Sequence, residues 1–205
     1  MFLSSLILFA ARSTKGIKRL SLSERAAIII PEDIKEILVG ILLGDGHISR
    51  ISSTANSRLH FGQTTKHKEY FKFVYNIFKS FCAVNYIPSF STNIDKRNNE
   101  IYYSFHFVTM QLPCFNLFRE LFYKFGKKVV PINIYDLLTA RSLAFWIMDD
   151  GSRHGEGLHI SAYGFSEEDI DRLLFVLQDK FKLKCSIHFN RDKKPRIYIK
   201  NRWIL

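Results

Sequence analysis

Leu38-Val39-Gly40-Ile41-Leu42-Leu43-Gly44-Asp45-Gly46 and Leu143-Ala144-Phe145-Trp146-Ile147-Met148-Asp149-Asp150-Gly151 are two altered copies of one pattern, an apolar run closed by Asp-Gly. Read as helices, the first puts Leu38, Ile41, Leu42 and Asp45 on one face, and the second does the same with Leu143, Trp146, Ile147 and Asp150. Gly46 is expected to end its helix in a left-handed conformation. An apolar helix belongs in a core, yet a carboxylate at its C-terminus meets both a burial penalty and the negative end of the helix dipole. Two such ends side by side repel unless a cation lies between them, and hard carboxylate oxygens suit Mg²⁺. The alternative is a pair of ordinary buried helices whose terminal acids face solvent.

Working outward, the 105-residue separation of the two acids suggests an internal duplication with a period of about 100. After Gly46 a hairpin is expected, His47 to Ser53 against Ser57 to Gln63, turning near Thr54-Ala55-Asn56. A helix from about Lys66 to Phe81 follows, with Tyr70, Phe71, Val74, Ile77, Phe78 and Phe81 at core spacing. A second hairpin, Pro88 to Val108, turns through the charged Asp95 to Glu100 segment, and Leu112 to Phe125 makes another amphipathic helix. After Gly151 the order returns: Leu158-His159-Ile160-Ser161, a helix from Ser166 to Phe181, and strands near Lys184 to Asn190 and Arg196 to Lys200. Ile101-Tyr102 and Ile197-Tyr198 are expected in matching places. The resulting expectation is an α+β fold of two pseudo-symmetric αββαββα halves, over residues 31–130 and 131–205, preceded by an extension over residues 1–30. The second half is expected to lack its final helix, because only Asn201 to Leu205 remain.

Composition points to a folded chain with a polyanionic partner. Of its 205 residues 47% are hydrophobic and 15% aromatic, ample for a core. A net charge of +11 favours nucleic acid, through phosphate contacts and counterion release, over a membrane surface. Cys82, Cys114 and Cys185 are scattered without metal spacing, which suggests core thiols in a reducing compartment. The apolar stretch Met1 to Ala11 is too short to span a bilayer, and Arg12, Lys15, Lys18 and Arg19 follow it. A transit or signal peptide, a remnant of an upstream reading frame and a flexible arm are all compatible with it. His154, Glu156 and His159 lie in a glycine-rich turn with no nearby Cys, which argues against zinc. No phosphate-cradling loop, nucleophile elbow or Cys-His protease pattern is present.

The paired segments, Ser57-Arg58-Leu59-His60-Phe61-Gly62-Gln63, Lys66-His67-Lys68-Glu69-Tyr70-Phe71 and Lys127-Lys128-Val129-Val130-Pro131 together resemble the LAGLIDADG homing endonucleases, in particular the monomeric two-motif branch of organellar introns. The likeness runs from about Ile34 to Lys200. Phe145 stands where a small contact residue is common, so the helix pair should be asymmetric. The resemblance implies metal-dependent phosphodiester hydrolysis of double-stranded DNA at a long recognition site, starting intron mobility, by an organelle-encoded, mitochondrial or similar, monomer with no membrane partner. It implies Mg²⁺, with Mn²⁺ as a substitute, on Asp45 and Asp150 with backbone oxygens near Gly44 and Asp149. Lys128 corresponds to the basic residue near the scissile phosphate, and Asp149 supports the ligands. Gln63 can orient a water or read a base. An RNA-binding maturase acting on its own intron RNA, and an inactive remnant, are the alternatives.

Within that fold, alternating strand residues would face the helices and the DNA. The DNA-facing set expected from the first half is Ser49, Arg50, Ser52, Arg58, His60 and Gln63, with Lys96 and Arg97 from a loop. Arg153, His159, Ser161, His188, Asn190, Arg191, Arg196 and Lys200 serve the second.

Overall fold

A computed structural model describes residues 20–94 and 99–200. Its elements in chain order are α1 (Leu22–Ala26), α2 (Glu32–Leu43), β1 (His47–Ser49), β2 (Arg58–Thr64), α3 (Lys68–Phe78), β3 (Ser89–Ile94), β4 (Ile101–Val108) and α4 (Asn116–Phe122). A two-residue-per-strand hairpin, β5 (Tyr123–Lys124) and β6 (Lys127–Lys128), leads through α5 (Ile134–Leu137) to α6 (Ala140–Asp150), β7 (Gly151–His154), β8 (Gly157–Ser161), α7 (Glu167–Asp179), β9 (Cys185–Phe189) and β10 (Pro195–Ile199). Two antiparallel sheets repeat one topology, β1-β2-β4-β3 and β7-β8-β10-β9. Among the described residues no helix follows β10, and none is long and apolar enough to cross a membrane.

The signature helices form for different local reasons and end alike. All seven residues from Ile37 to Leu43 are buried, so this C-terminal part of α2 is apolar all round and packed from every side. The α6 N-terminus is capped by Thr139, whose hydroxyl accepts the Ser142 N–H at 3.2 Å. Gly46 and Gly151 do not adopt the left-handed conformation; the described glycines with positive φ are Gly126 and Gly155. What Gly46 and Gly151 require is closeness. A β-carbon on either would strike a carbonyl oxygen of its own helix, Ile41 or Ile147.

The sheets place their apolar sides on the helices. Along β2, Leu59, Phe61 and Gln63 are buried while Arg58, His60, Gly62 and Thr64 face outward. Phe61, Phe71, Phe78 and Phe107 form the aromatic centre of the first half, and Ile160, Leu173, Leu177 and Ile197 hold the corresponding place in the second. Three further expectations change. β1 has three residues, so residues 50–57 form a longer loop instead of a tight turn. The helix expected to Phe125 stops at Phe122 and gives way to the β5–β6 hairpin. Ile197 pairs with Ile160 as Phe107 pairs with Phe61, so the counterpart of Ile197-Tyr198 is Phe107-Val108, not Ile101-Tyr102 at the other end of β4.

Candidate active site

α2 and α6 cross with almost nothing between their backbones. A β-carbon at Gly40 would meet the Ser142 carbonyl oxygen and, at 2.7 Å, the Phe145 β-carbon; one at Gly44 would overlap the Asp149 side chain. The glycines are four residues apart on one face, which lets α6 settle into that face. Phe145, where a small contact residue is common, sets its β-carbon against Gly40 while its ring leaves the crossing and stacks on Phe73 at 6.0 Å.

This crossing brings the acids together. Asp149 lies over Gly44, and its Oδ2 accepts the Asp45 backbone N–H at 3.0 Å. Gln63, on the helix side of β2, donates from Nε2 to Asp45 Oδ2 at 2.6 Å and to Asp149 Oδ1 at 3.5 Å. Tyr70 donates from its hydroxyl to Asp149 Oδ1 at 2.7 Å. Lys128 arrives on β6, where its Nζ donates to the Gly44 carbonyl at 2.6 Å and the Gly46 carbonyl at 3.0 Å. The hairpin carrying it is anchored by Tyr123, whose hydroxyl accepts the Ile48 N–H and bonds His47 Nδ1, each at 3.0 Å.

Burial dominates the electrostatics. It raises Asp149 to about 7, helped by the charge of Asp45 and opposed by the Tyr70 hydrogen bond. Burial and Asp45 raise Asp150 to about 6. Asp45 is raised by burial against the Gln63 hydrogen bond and the Lys128 charge. Burial also pushes Lys128 down to about 8, although all three carboxylates favour its charged form. Three carboxylates face one ammonium, a shortage of positive charge that a divalent cation would correct. The donors are hard oxygens, which fit such an ion. Among the described residues no group of three or more His, Cys, Asp or Glu is arranged to hold an ion by itself. A cation between Asp45 and Asp150 would therefore complete its shell with backbone, water or phosphate oxygens.

The outward faces flank this cluster. Ser49, Arg58 and His60 stand together on the first: the Ser49 hydroxyl bonds His60 Nε2 at 2.7 Å and accepts from Arg58 Nε at 3.4 Å. His159, Ser161, His188, Arg196 and Lys200 share the outward side of the second by register, with Asn190 and Arg191 in the β9–β10 turn. Other residues expected there are placed differently. Gln63 points to the carboxylates, and Arg153 pairs with Leu158, on the side that faces the helices. Arg50 is engaged by Glu120 at 3.4 Å, while Ser52 sits in the exposed part of the 50–57 loop. Lys96 and Arg97 lie outside the described residues.

Several residues escaped the sequence reading. His47 and His106 belong to the first outward face, and His154 and Tyr198 to the second, where His154 stacks on His159 at 4.2 Å and Tyr198 on His188 at 4.6 Å. Tyr70 packs against the core as its spacing predicts, and its hydroxyl also reaches Asp149, which spacing does not show. Burial, with the charges of Arg58 and His47 adding to it, holds His60 down at about 4, so it faces outward as a neutral imidazole.

Comparison with known proteins agrees with this geometry. Residues 35–204 match the model of the LAGLIDADG DNA endonuclease family. The cytochrome b mRNA maturase bI2 of Debaryomyces hansenii is 31% identical over 161 residues, covering 78% of this chain and 61% of that protein. The intron-encoded endonuclease ai4 of Dictyostelium discoideum is 37% identical over 137 residues, 63% of this chain and 80% of that protein. Among solved structures, the homing endonuclease I-WcaI bound to its DNA recognition sequence superposes with a TM-score of 0.80 at 25% identity, covering 92% of this chain and 86% of that one. With a family match over most of its length and a paired signature whose acids meet, the chain belongs to the LAGLIDADG DNA endonuclease family.

Proposed function

We propose that the chain is a site-specific double-strand DNA endonuclease of the homing type, acting as a monomer of two halves, residues 31–130 and 131–205. The observation that carries this reading is the meeting of Asp45 and Asp150 at adjoining helix ends beside Lys128 and Gln63, with more negative than positive charge. A divalent cation, Mg²⁺ or in its place Mn²⁺, would be held by Asp45 and Asp150 and would supply an activated water and a counter-charge for the leaving oxyanion. The remaining work falls to the chain. Gln63 fixes the Asp45 carboxylate, Asp149 fixes the Asp45 backbone, and Lys128 holds a positive charge where the scissile phosphate would lie. A duplex laid across the acid pair would meet the Arg58 and His60 face on one side and the His188 and Arg196 face on the other. The intron-encoded relatives support an organellar, mitochondrial setting. The maturase name of the Debaryomyces hansenii relative supports a second reading, binding of the host intron RNA on the same basic faces.

The test uses a duplex recovered from a randomised pool by binding to the unaltered chain. Asp45→Asn and Asp150→Asn keep size and remove charge, and each is expected to abolish Mg²⁺-dependent double-strand cutting. Duplex affinity should stay within about threefold, because phosphate contacts dominate it. Cutting by either variant at the rate of the unaltered chain would overturn the assignment.

A further inference from the structure

Tyr123-Lys124-Phe125-Gly126-Lys127-Lys128 closes a two-residue hairpin whose local choices work against the fold. Phe125 and Gly126 both have positive φ, 50° and 79°, the pair of conformations that a type I′ turn demands and that Asn-Gly adopts most easily. The Phe125 side chain is wholly exposed, at 105%. Lys124 stands opposite Lys127 in the ladder, a like-charge pair, and among the described residues neither has a carboxylate partner. Local costs that coincide at one place point to a binding role.

The tip is also held firmly with respect to the acid pair. Its base is fixed by Tyr123 on β1 and by Lys128 on the Gly44 and Gly46 carbonyls, and Arg119 covers the Tyr123 ring at 4.0 Å. Between the tip and the 50–57 loop lies a cleft of about 390 Å³ whose lining includes Arg50, Arg119, Ser52, Ser53 and Phe125, and also Glu120, whose carboxylate is bonded to Arg50 at 3.4 Å. Two guanidinium groups and two hydroxyls suit a phosphate.

We infer that this hairpin is a further contact to the target duplex: a backbone phosphate beyond the scissile one sits in the cleft, and Phe125 lies against the adjoining deoxyribose or base. Lys124 and Lys127 neutralise the neighbouring phosphates. This rests on duplex DNA being the substrate, as proposed above, but not on cutting, so binding is the readout. The probe is the duplex selected from the randomised pool, titrated without divalent metal at several salt concentrations. Phe125→Gly relieves the strained turn, so its melting temperature should equal or exceed that of the unaltered chain while its Kd rises about five- to tenfold. Its salt dependence should be unchanged, because no charge is removed; Lys124→Ala and Lys127→Ala should each lower the slope by about one. Phe125→Asn, which tolerates positive φ, should bind as weakly as the glycine variant. Unaltered affinity in Phe125→Gly, recovery in Phe125→Asn, or a loss seen with a structured RNA but not with the duplex would overturn the inference. So would failure of the unaltered chain to retain any duplex from the pool. A chain that binds the duplex and loses affinity on Phe125→Gly, yet never cuts, would support this contact while refuting the endonuclease reading.

Discussion

Gly40→Ala pits two known effects against each other. In an ordinary exposed helix the change would stabilise by about 1 kcal/mol through helix propensity. At this crossing the new β-carbon would overlap the Ser142 carbonyl oxygen and lie 2.7 Å from the Phe145 β-carbon. The first obstacle is backbone, so no side-chain rotation relieves it; α2 and α6 must part by several tenths of an ångström. Overpacking of this kind costs about 1–3 kcal/mol, and with a backbone obstacle the upper part of that range applies. The difference leaves a net loss of about 1–2 kcal/mol, a fall in Tm of roughly 2–8 °C for a chain of this size. Because Asp45 and Asp149 meet across the same crossing, cleavage should fall with stability. Gly62→Ala is the control: its β-carbon would meet the His106 Nδ1, part of a ring that can turn away, and its Tm should move by less than half as much. Calorimetry on the two variants decides the matter. A Gly40→Ala protein as stable as the unaltered chain would refute the claim that bare backbone contact sets the distance between the acids.

Tyr70→Phe removes the hydrogen bond to Asp149 Oδ1 and should slow cutting of the selected duplex about five- to tenfold at a stability cost of roughly 1 kcal/mol; an unchanged rate would show that Asp149 needs no anchor. Asp149 and Asp150 have raised folded-state values, about 7 and about 6, so each adds stability that is present at low pH and lost as pH rises through those values. Mg²⁺ binds the ionised form, so the Tm increase it produces should grow between about pH 5 and about pH 8 and vanish in Asp150→Asn. An increase of equal size at both pH values, read by thermal melting, would count against the acid pair as the cation site.

Most of the architecture was legible because it rests on periodicity. The unbroken apolar run Ile37 to Leu43 belongs inside a core on every side, and the spacing of Phe71, Val74 and Phe78 and the alternation of Leu59 and Phe61 are each enforced by one apolar face seeking that core. The acid pair was legible for the converse reason, since each carboxylate breaks an apolar run. Details decided by closeness were not. Nothing in Asp-Gly distinguishes a glycine that needs a left-handed turn from one that must make room for the Ile41 or Ile147 carbonyl, and only packing supplies that fact.

The misplaced residues share a cause. Polarity points Gln63 and Arg153 to the outward face, whereas strand parity puts Gln63 inward with Phe61 and puts Arg153, although exposed, on the side of Leu158. For Gln63 the inward place is the informative one: a buried amide must be satisfied, and the groups that satisfy it are the carboxylates of Asp45 and Asp149. Register assigns Ala162 the corresponding place in the second half, where a methyl group can make no such bond. Tyr70, also from the first half, likewise reaches across to Asp149 of the second. Gln63 and Tyr70, which bond the Asp45 and Asp149 side chains, are thus both drawn from the first half, so the acids that the duplicated signature brings together sit in chemically unequal surroundings.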